Sequence, residues 1–364
     1  MRIAVAVEDR PGETRVALVP ALVGRLTALG CTVVVVPGAG TAAGFSDDDY
    51  AAVGALVDPG ALSTADVVVS VQPLAPEVAG ALRPGSATVS FLPVAENRDL
   101  LAVLREREVR AYAMDQVPRI SRAQTMDALT SQALVVGYRA VVVAAGLLTQ
   151  PFPVTVSAAG TIPAAQVLVL GAGVAGLQAI ASARRLGAQV SGYDVRASSR
   201  EEIASLGATA LDLGLPALDG AAGYAREMTD ERAVLQRSLL APYVAAADVV
   251  ITTAAVPGRR APVLVTAAMV SAMHAGSVVV DVAADSGGNV EGVRAGELTR
   301  VGRARVWGGT NVPAQMPAYA STLYAQNVVN LVALMTRPGR DGAAAEFAPD
   351  PDDEIVAAVL VTNA

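Results

Sequence analysis

Residues 167–194 read VLVLGAGVAGLQAIASARRLGAQVSGYD, and the fold is decided there. Val167–Leu170 is an unbroken apolar run of strand type. A Gly-rich turn follows, Ala175–Leu186 has helical periodicity, and Gln189–Tyr193 is a second strand. Strand, turn, helix and strand in 28 residues make a βαβ unit. Gly171, Gly173 and Gly176 form GxGxxG where the strand gives way to the helix. Gly171 permits the tight turn, Gly173 lets backbone approach a diphosphate, and Gly176 lets the helix pack on the strand. Val174 and Ala175 open the helix, where free N–H groups and the helix dipole favour an anion. Asp194 ends the next strand about 20 residues on, the place from which a carboxylate accepts hydrogen bonds from a ribose. The same carboxylate repels a 2′-phosphate, so NAD rather than NADP is the expected cofactor. Arg196, two residues later, is able to serve a phosphate; otherwise it is a solvated turn residue.

Outward from this unit, the same rhythm fills most of the chain. Strand-like runs stand at Ile3–Val7, Val33–Val36, Val67–Val71, Thr88–Phe91 and Arg110–Ala113. A second series comprises Val167–Leu170, Gln189–Tyr193, Val249–Thr252, Val278–Val282 and Ala304–Trp307. Helical segments such as Pro20–Leu29 separate them, and near-continuous apolar strands suit a parallel sheet covered on both faces. The expected fold is α/β, with two Rossmann-like doubly wound domains joined by two long helices, Ser121–Leu148 and Ala318–Met335. The first domain takes residues 1–130 and 318–364, the second 131–317. Gln150–Pro163 is Pro-bounded and alternating, as a hairpin would be. Arg337–Asp353, rich in Gly, Pro and Asp, reads as a surface connection.

Composition then narrows the chemistry. Of 364 residues, 53% are hydrophobic and 17% charged, which supplies ample core and excludes disorder. The net charge of −7 does not suit nucleic acid, whose phosphates call for a basic surface. All 27 basic residues are Arg, so no mechanism that needs a lysine amine is open. One Cys (Cys31) and one His (His274) make neither an internal disulfide nor a zinc site of the usual kind. Cys31 precedes a strand run and is expected to be buried; no metal is expected. The longest apolar stretches, Ala133–Leu148 and Val167–Ala181, are broken by Arg139 and by three glycines. No spanning helix and no secretory signal is therefore expected, and the chain reads as cytoplasmic.

Two further segments carry polar clusters. In residues 113–133 (AMDQVPRISRAQTMDALTSQA), Arg119, Arg122, Gln124 and Asp127 gather where a strand gives way to a helix. Gln124 with Ala128 and Asp127 with Ser131 are spaced as i,i+4 pairs. The cluster is either a site or a solvated helix start. In Leu215–Glu231, small and polar residues surround Tyr224, as in a mobile loop over an active site or a plain long connection.

Together these residues resemble the soluble NAD(H)-binding component of proton-translocating NAD(P) transhydrogenase, the first domain of the alpha subunit. The resemblance runs through ETRVALVP (13–20), MDQVPRISRAQTMDALTSQA (114–133), VLGAGVAGLQAI (169–180), GYAREM (223–228), TTAAVPGRRAP (252–262), VVDVAADSGGN (279–289) and NVPAQMPAYASTLYAQN (311–327). It implies that Arg119, Gln124 and Asp127, with Thr130 beside them, hold the nicotinamide end of the cofactor. It also implies that Tyr224 closes over bound nucleotide. It implies a homodimer attached peripherally to the inner membrane, through a membrane-embedded proton-channel subunit and an NADP(H)-binding beta subunit. Thr130 stands where the family pattern has Ser, Ser70 where it has Lys, and Gln315 where it has Arg. The related family is alanine dehydrogenase, whose chemistry asks for a Lys and a His in the first domain. An inert NAD-binding subunit is the third reading the residues allow.

Overall fold

The computed structural model describes residues 1–220, 228–255, 260–339 and 344–362. The chain divides into two compact units, Met1–Gln132 with Pro313–Ala364, and Ala133–Val312.

The first unit is built on six parallel strands: β1 (Arg2–Val5), β2 (Thr32–Val35), β3 (Leu56–Val57), β4 (Val67–Val69), β5 (Ala87–Ser90) and β6 (Arg110–Ala113). Their order in the sheet is β3-β2-β1-β4-β5-β6, a doubly wound arrangement with β1 and β4 paired at its centre. Alternate residues enter opposite cores, as the pleat requires. Ile3, Val5, Val33, Val35, Val67 and Val69 belong to one buried cluster, and Ala4, Val34 and Val68 to the other.

The second unit carries an antiparallel hairpin, β7 (Thr155–Ser157) and β8 (Gly160–Ile162), inside the segment whose alternation suggests one. Its main sheet comprises β9 (Gln166–Leu170), β10 (Gln189–Tyr193), β11 (Thr209–Ala210), β12 (Val249–Thr252), β13 (Val278–Asp281), β14 (Leu298–Val301) and β15 (Ala304–Gly308). The order is β11-β10-β9-β12-β13-β15-β14, parallel except for the β14–β15 pair. Val167, Val169, Ile251 and Val280 face one core; Leu168, Leu170, Val250 and Val279 face the other. Both halves are thus the Rossmann-like parallel-sheet architecture that the strand–helix rhythm predicts. A last ribbon, β16 (Thr336–Arg337) with β17 (Glu346–Phe347), lies in the segment expected to be a surface connection.

The long helical pattern at Ser121–Leu148 is two elements. Ser121–Met126 is a 3-10 helix, and the α-helix runs Ala128–Leu147. The break is at Asp127, whose ψ of 89° is not helical. Its carboxylate accepts Thr130 N at 2.9 Å and Thr130 Oγ1 at 2.6 Å, capping a helix start that would otherwise leave donors unmet. The i,i+4 relation expected between Gln124 and Ala128 is therefore absent. The helix is long and apolar enough to cross a bilayer, yet Val135, Ala140, Val141 and Ala144 are fully buried, the last three in the second unit's core. The other long helix, Pro317–Leu334, lies wholly in the first unit, where Tyr324, Val328 and Leu331 enter its core.

Candidate dinucleotide-binding site

In an open parallel sheet, ligands are held beyond the carboxyl ends of the strands, where the winding reverses. In the second unit that place is the neighbouring ends of β9 and β12, with β10 on one side and β13 on the other.

The three glycines after β9 meet three distinct demands. Gly171 has φ +97°, a left-handed conformation in which a side chain is strained. A Cβ there would also stand 2.7 Å from Thr253 Oγ1 and 3.0 Å from Ala254 N. At Gly173, the residue capping helix Val174–Arg185, a Cβ would meet nothing within 4 Å, so the backbone there is open to close approach. At Gly176 a Cβ would stand 1.9 Å from Gly171 O, so only glycine lets the helix lie this close to its strand. No side chain caps the first turn. The N–H groups of Val174, Ala175 and Gly176 remain for an anion, aided by the helix dipole.

Asp194 follows β10, and its carboxylate is engaged on both oxygens. Oδ2 accepts Ala172 N at 2.7 Å and Arg196 Nη2 at 3.0 Å. Oδ1 accepts Arg196 N and Nε, each at 2.9 Å. Burial alone would raise its pKa, but Arg196 and the two amides outweigh burial and hold it below the ordinary aspartate value. The carboxylate therefore stays ionised and fixed against the glycine turn. Arg196 pairs with this carboxylate instead of standing out as a solvated turn residue, so a ribose hydroxyl has to share or displace its donors.

Beyond this pair lies a cavity of about 290 Å³ walled by Tyr193, Asp194, Arg196, Arg200, Leu213 and Arg232, among others. Arg200 is held by Asp212 at 2.7 and 2.8 Å, and Arg232 Nη2 donates to Pro216 O at 2.7 Å. The size is at the small end of ligand clefts and suits one nucleoside rather than a whole dinucleotide. Planar guanidinium walls are good stacking surfaces for a purine.

The structure brings Gly171, Gly173, Val174, Ala175, Gly176, Asp194 and Arg196 together in the second unit. Arg119, Gln124, Asp127 and Thr130 belong to the first, following the carboxyl end of β6. Arg119 and Gln124 are exposed, whereas Asp127 and Thr130 are half-buried and bonded to each other. The 3-10 turn carrying Gln124 is anchored by Ala123 and Met126, which enter the core. Thr125 O accepts Asn327 Nδ2 at 2.9 Å and Asn330 Nδ2 at 2.8 Å. Arg122 is not part of this presentation: it pairs with Asp353 and Glu354. Tyr224 and positions 256–259 lie outside the described residues.

Three residues of the site carry no sequence signal that names their role. Thr253 Oγ1 donates to Gly171 O at 3.0 Å and ties the turn to β12. Gly137, in helix Ala128–Leu147, lets that helix touch the first turn of Val174–Arg185. Asn289, fully buried, bonds Ala254 and Pro262. Of the family pattern's departures, Ser70 is buried with its hydroxyl on Gln72 O at 2.7 Å, and Gln315 is exposed.

Residues 4–136 match the N-terminal domain, and residues 140–364 the C-terminal domain, of the family described as alanine dehydrogenase/PNT. The NAD(P) transhydrogenase subunit alpha chain of Rhodospirillum rubrum is 41% identical, over 100% of this chain and 96% of that protein. The crystal structure of transhydrogenase from Sinorhizobium meliloti is similar with a TM-score of 0.87 and 41% identity, covering 99% of this chain and 98% of that one. Alanine dehydrogenase of Bacillus subtilis is more distant, at 33% identity over 80% of this chain and 73% of that protein. A glycine turn with its paired aspartate, set in a chain that matches both domains end to end, places this protein in the alanine dehydrogenase/PNT family, in its NAD(P) transhydrogenase alpha-subunit group.

Proposed function

We propose that the chain binds NAD(H) in its second unit and serves as the NAD(H)-binding subunit of a proton-translocating NAD(P) transhydrogenase. The observation that carries the reading is the Asp194 carboxylate, ionised and tied to the glycine turn through Ala172 N–H. It stands where an adenosine ribose reaches the sheet, and it disfavours a 2′-phosphate. The first-turn amides of Val174, Ala175 and Gly176 take the diphosphate.

Bound NADH supplies a hydride, which passes to NADP⁺ held by a separate subunit, leaving NAD⁺ and NADPH with no proton to place on the protein. The chain's task is then position. Arg119, Gln124, Asp127 and Thr130 hold the nicotinamide end, and Tyr224 closes over the bound nucleotide. Reacting atoms need to be held within about 3–3.5 Å of one another. A chain with no Lys, and with its one His at position 274 in the second unit, is equipped for this transfer and poorly equipped for amino-acid oxidation. The assembly proposed is a homodimer on the cytoplasmic side of the inner membrane, held through a proton-channel subunit beside an NADP(H)-binding beta subunit.

The test is reduction of an NAD analogue by NADPH, with and without the NADP(H)-binding subunit. Activity is expected only with both, and Gln124→Asn is expected to slow transfer more than it weakens NADH binding. Turnover by this chain alone would contradict the reading. Alanine-dependent NAD reduction above a blank would replace it with an alanine dehydrogenase.

A further inference from the structure

The geometry points to Asn289 as a positioning residue for the diphosphate side of the dinucleotide site, acting through Ala254. Asn289 is fully buried, and one side-chain amide grips the chain at two places eight residues apart. Its Oδ1 accepts Ala254 N at 3.0 Å. Its Nδ2 donates to Ala254 O at 2.7 Å and to Pro262 O at 2.8 Å. Its main-chain oxygen accepts Leu264 N at 2.8 Å and Val265 N at 3.0 Å. Asn289 thus fixes Ala254, just after β12, and Pro262 with the same amide.

Asn289 is in turn held by Asp281, at the end of β13. Asp281 Oδ2 accepts Asn289 N at 2.7 Å and Val290 N at 2.9 Å, while Oδ1 accepts Ala283 N at 3.0 Å. At the other end of the relay is the glycine turn. Thr253 N donates to Leu170 O at 2.8 Å, and Thr253 Oγ1 to Gly171 O. A Cβ on Gly171 would stand 3.0 Å from Ala254 N. Hydrogen bonds run from Asp281 through Asn289 to Ala254, and from its chain neighbour Thr253 to Gly171, so this amide helps to place the wall beside the diphosphate turn. The adenosine end, set by Asp194 at the end of β10 and by the arginine-walled cavity, lies outside the relay. This separation gives the role a signature that general destabilisation lacks.

The inference rests on the dinucleotide reading, and the experiment separates the two. Wild-type protein is titrated first with NADH and with adenosine, which carries no phosphate; binding of neither would sink the dinucleotide reading itself. Asn289→Asp keeps the shape but turns both N–H donors into acceptors facing two carbonyls. It is expected to weaken NADH at least about tenfold, the scale set by the loss of one or two buried hydrogen bonds. Adenosine affinity should change by less than about threefold. Asn289→Ser, which loses the donors without adding charge, is measured alongside and carries the test if the Asp variant does not fold. Equal weakening of NADH and adenosine would mean that Asn289 only stabilises the unit. Unchanged NADH affinity in either folded variant would overturn the proposal outright.

Discussion

Replacing Gly137 by Ala tests whether helix Ala128–Leu147 sets the nucleotide helix in place. A methyl group at Gly137 would stand 2.2 Å from Ala175 O, 2.8 Å from Gln178 Cβ and 3.0 Å from Ala175 C. Two of these atoms are backbone and cannot rotate aside, so the helices must part by about 1.2 Å to regain ordinary contact in a close-packed interior. Two effects compete. Ala favours a helix interior over Gly by about 0.5–1 kcal/mol, while overpacking costs about 1–3 kcal/mol. The clash wins, leaving Gly137→Ala less stable by roughly 1–2 kcal/mol. Ala175 lies in the turn proposed to take the diphosphate, so a shift on the order of 1 Å should also weaken NADH about tenfold. Gly146, in the same helix, is the control, because a Cβ there meets nothing within 4 Å. Gly146→Ala should leave NADH affinity alone and raise stability by up to about 1 kcal/mol. Thermal unfolding and NADH titration of both variants measure this. If Gly137→Ala is as stable as Gly146→Ala and binds NADH normally, the contact is not rigid and the reasoning fails.

Asp194→Asn should narrow the preference for NADH over NADPH by on the order of 1–3 kcal/mol while retaining an acceptor for Ala172 N–H. Asp194→Ala, which loses that acceptor too, should melt lower than the Asn variant; calorimetric titration with both cofactors and a thermal melt read the two effects. In the first unit, Glu13 is buried, yet the Arg15 guanidinium beside it and the Gln72 amide hold its carboxyl down at about 2. Its stabilisation is thus complete above about pH 4.5 and disappears as pH falls towards 2. Glu8 is the opposite case: burial pushes it up to about 7 despite the amides of Val71 and Gln72. The fold binds its proton more tightly than the unfolded chain does, so stability is lost as pH rises from about 4.5 through 7. Glu8→Gln should flatten the fall in melting temperature between pH 5 and 8, and an unchanged slope would show that Glu8 is not the group responsible.

Whatever depends on local pattern was legible in the residues. Inner strands such as Val67–Val69 and Val249–Thr252 stand out because each is buried on two faces and therefore apolar. The glycine turn is visible because three constraints fall within six residues. What depends on a distant partner was not legible. Leu56–Val57 and Thr209–Ala210 are two-residue edge strands with too little pattern to read. The break at Asp127 was hidden because capping residues and helix-surface residues are the same polar types. Gly137 looks like any helix glycine until Ala175 is placed against it. ETRVALVP was quotable as a stretch, but nothing in it says that Glu13, Arg15, Gln72 and Gln132 close into one buried hydrogen-bonded group.

The hydrogen bond from Ala172 N to Asp194 also bears on how such proteins change cofactor over evolutionary time. The carboxylate proposed to select for a free 2′-hydroxyl is the same group that braces the glycine turn. A mutation that discards it to welcome NADP therefore damages the binding loop in the same step. Adaptive or engineered drift towards NADP has to pass through an intermediate with a short neutral acceptor at position 194, such as Asn or Ser. Only then can Arg196, released from its pairing, be recruited to the phosphate. The order of the substitutions, and not merely their identity, is constrained by one main-chain contact.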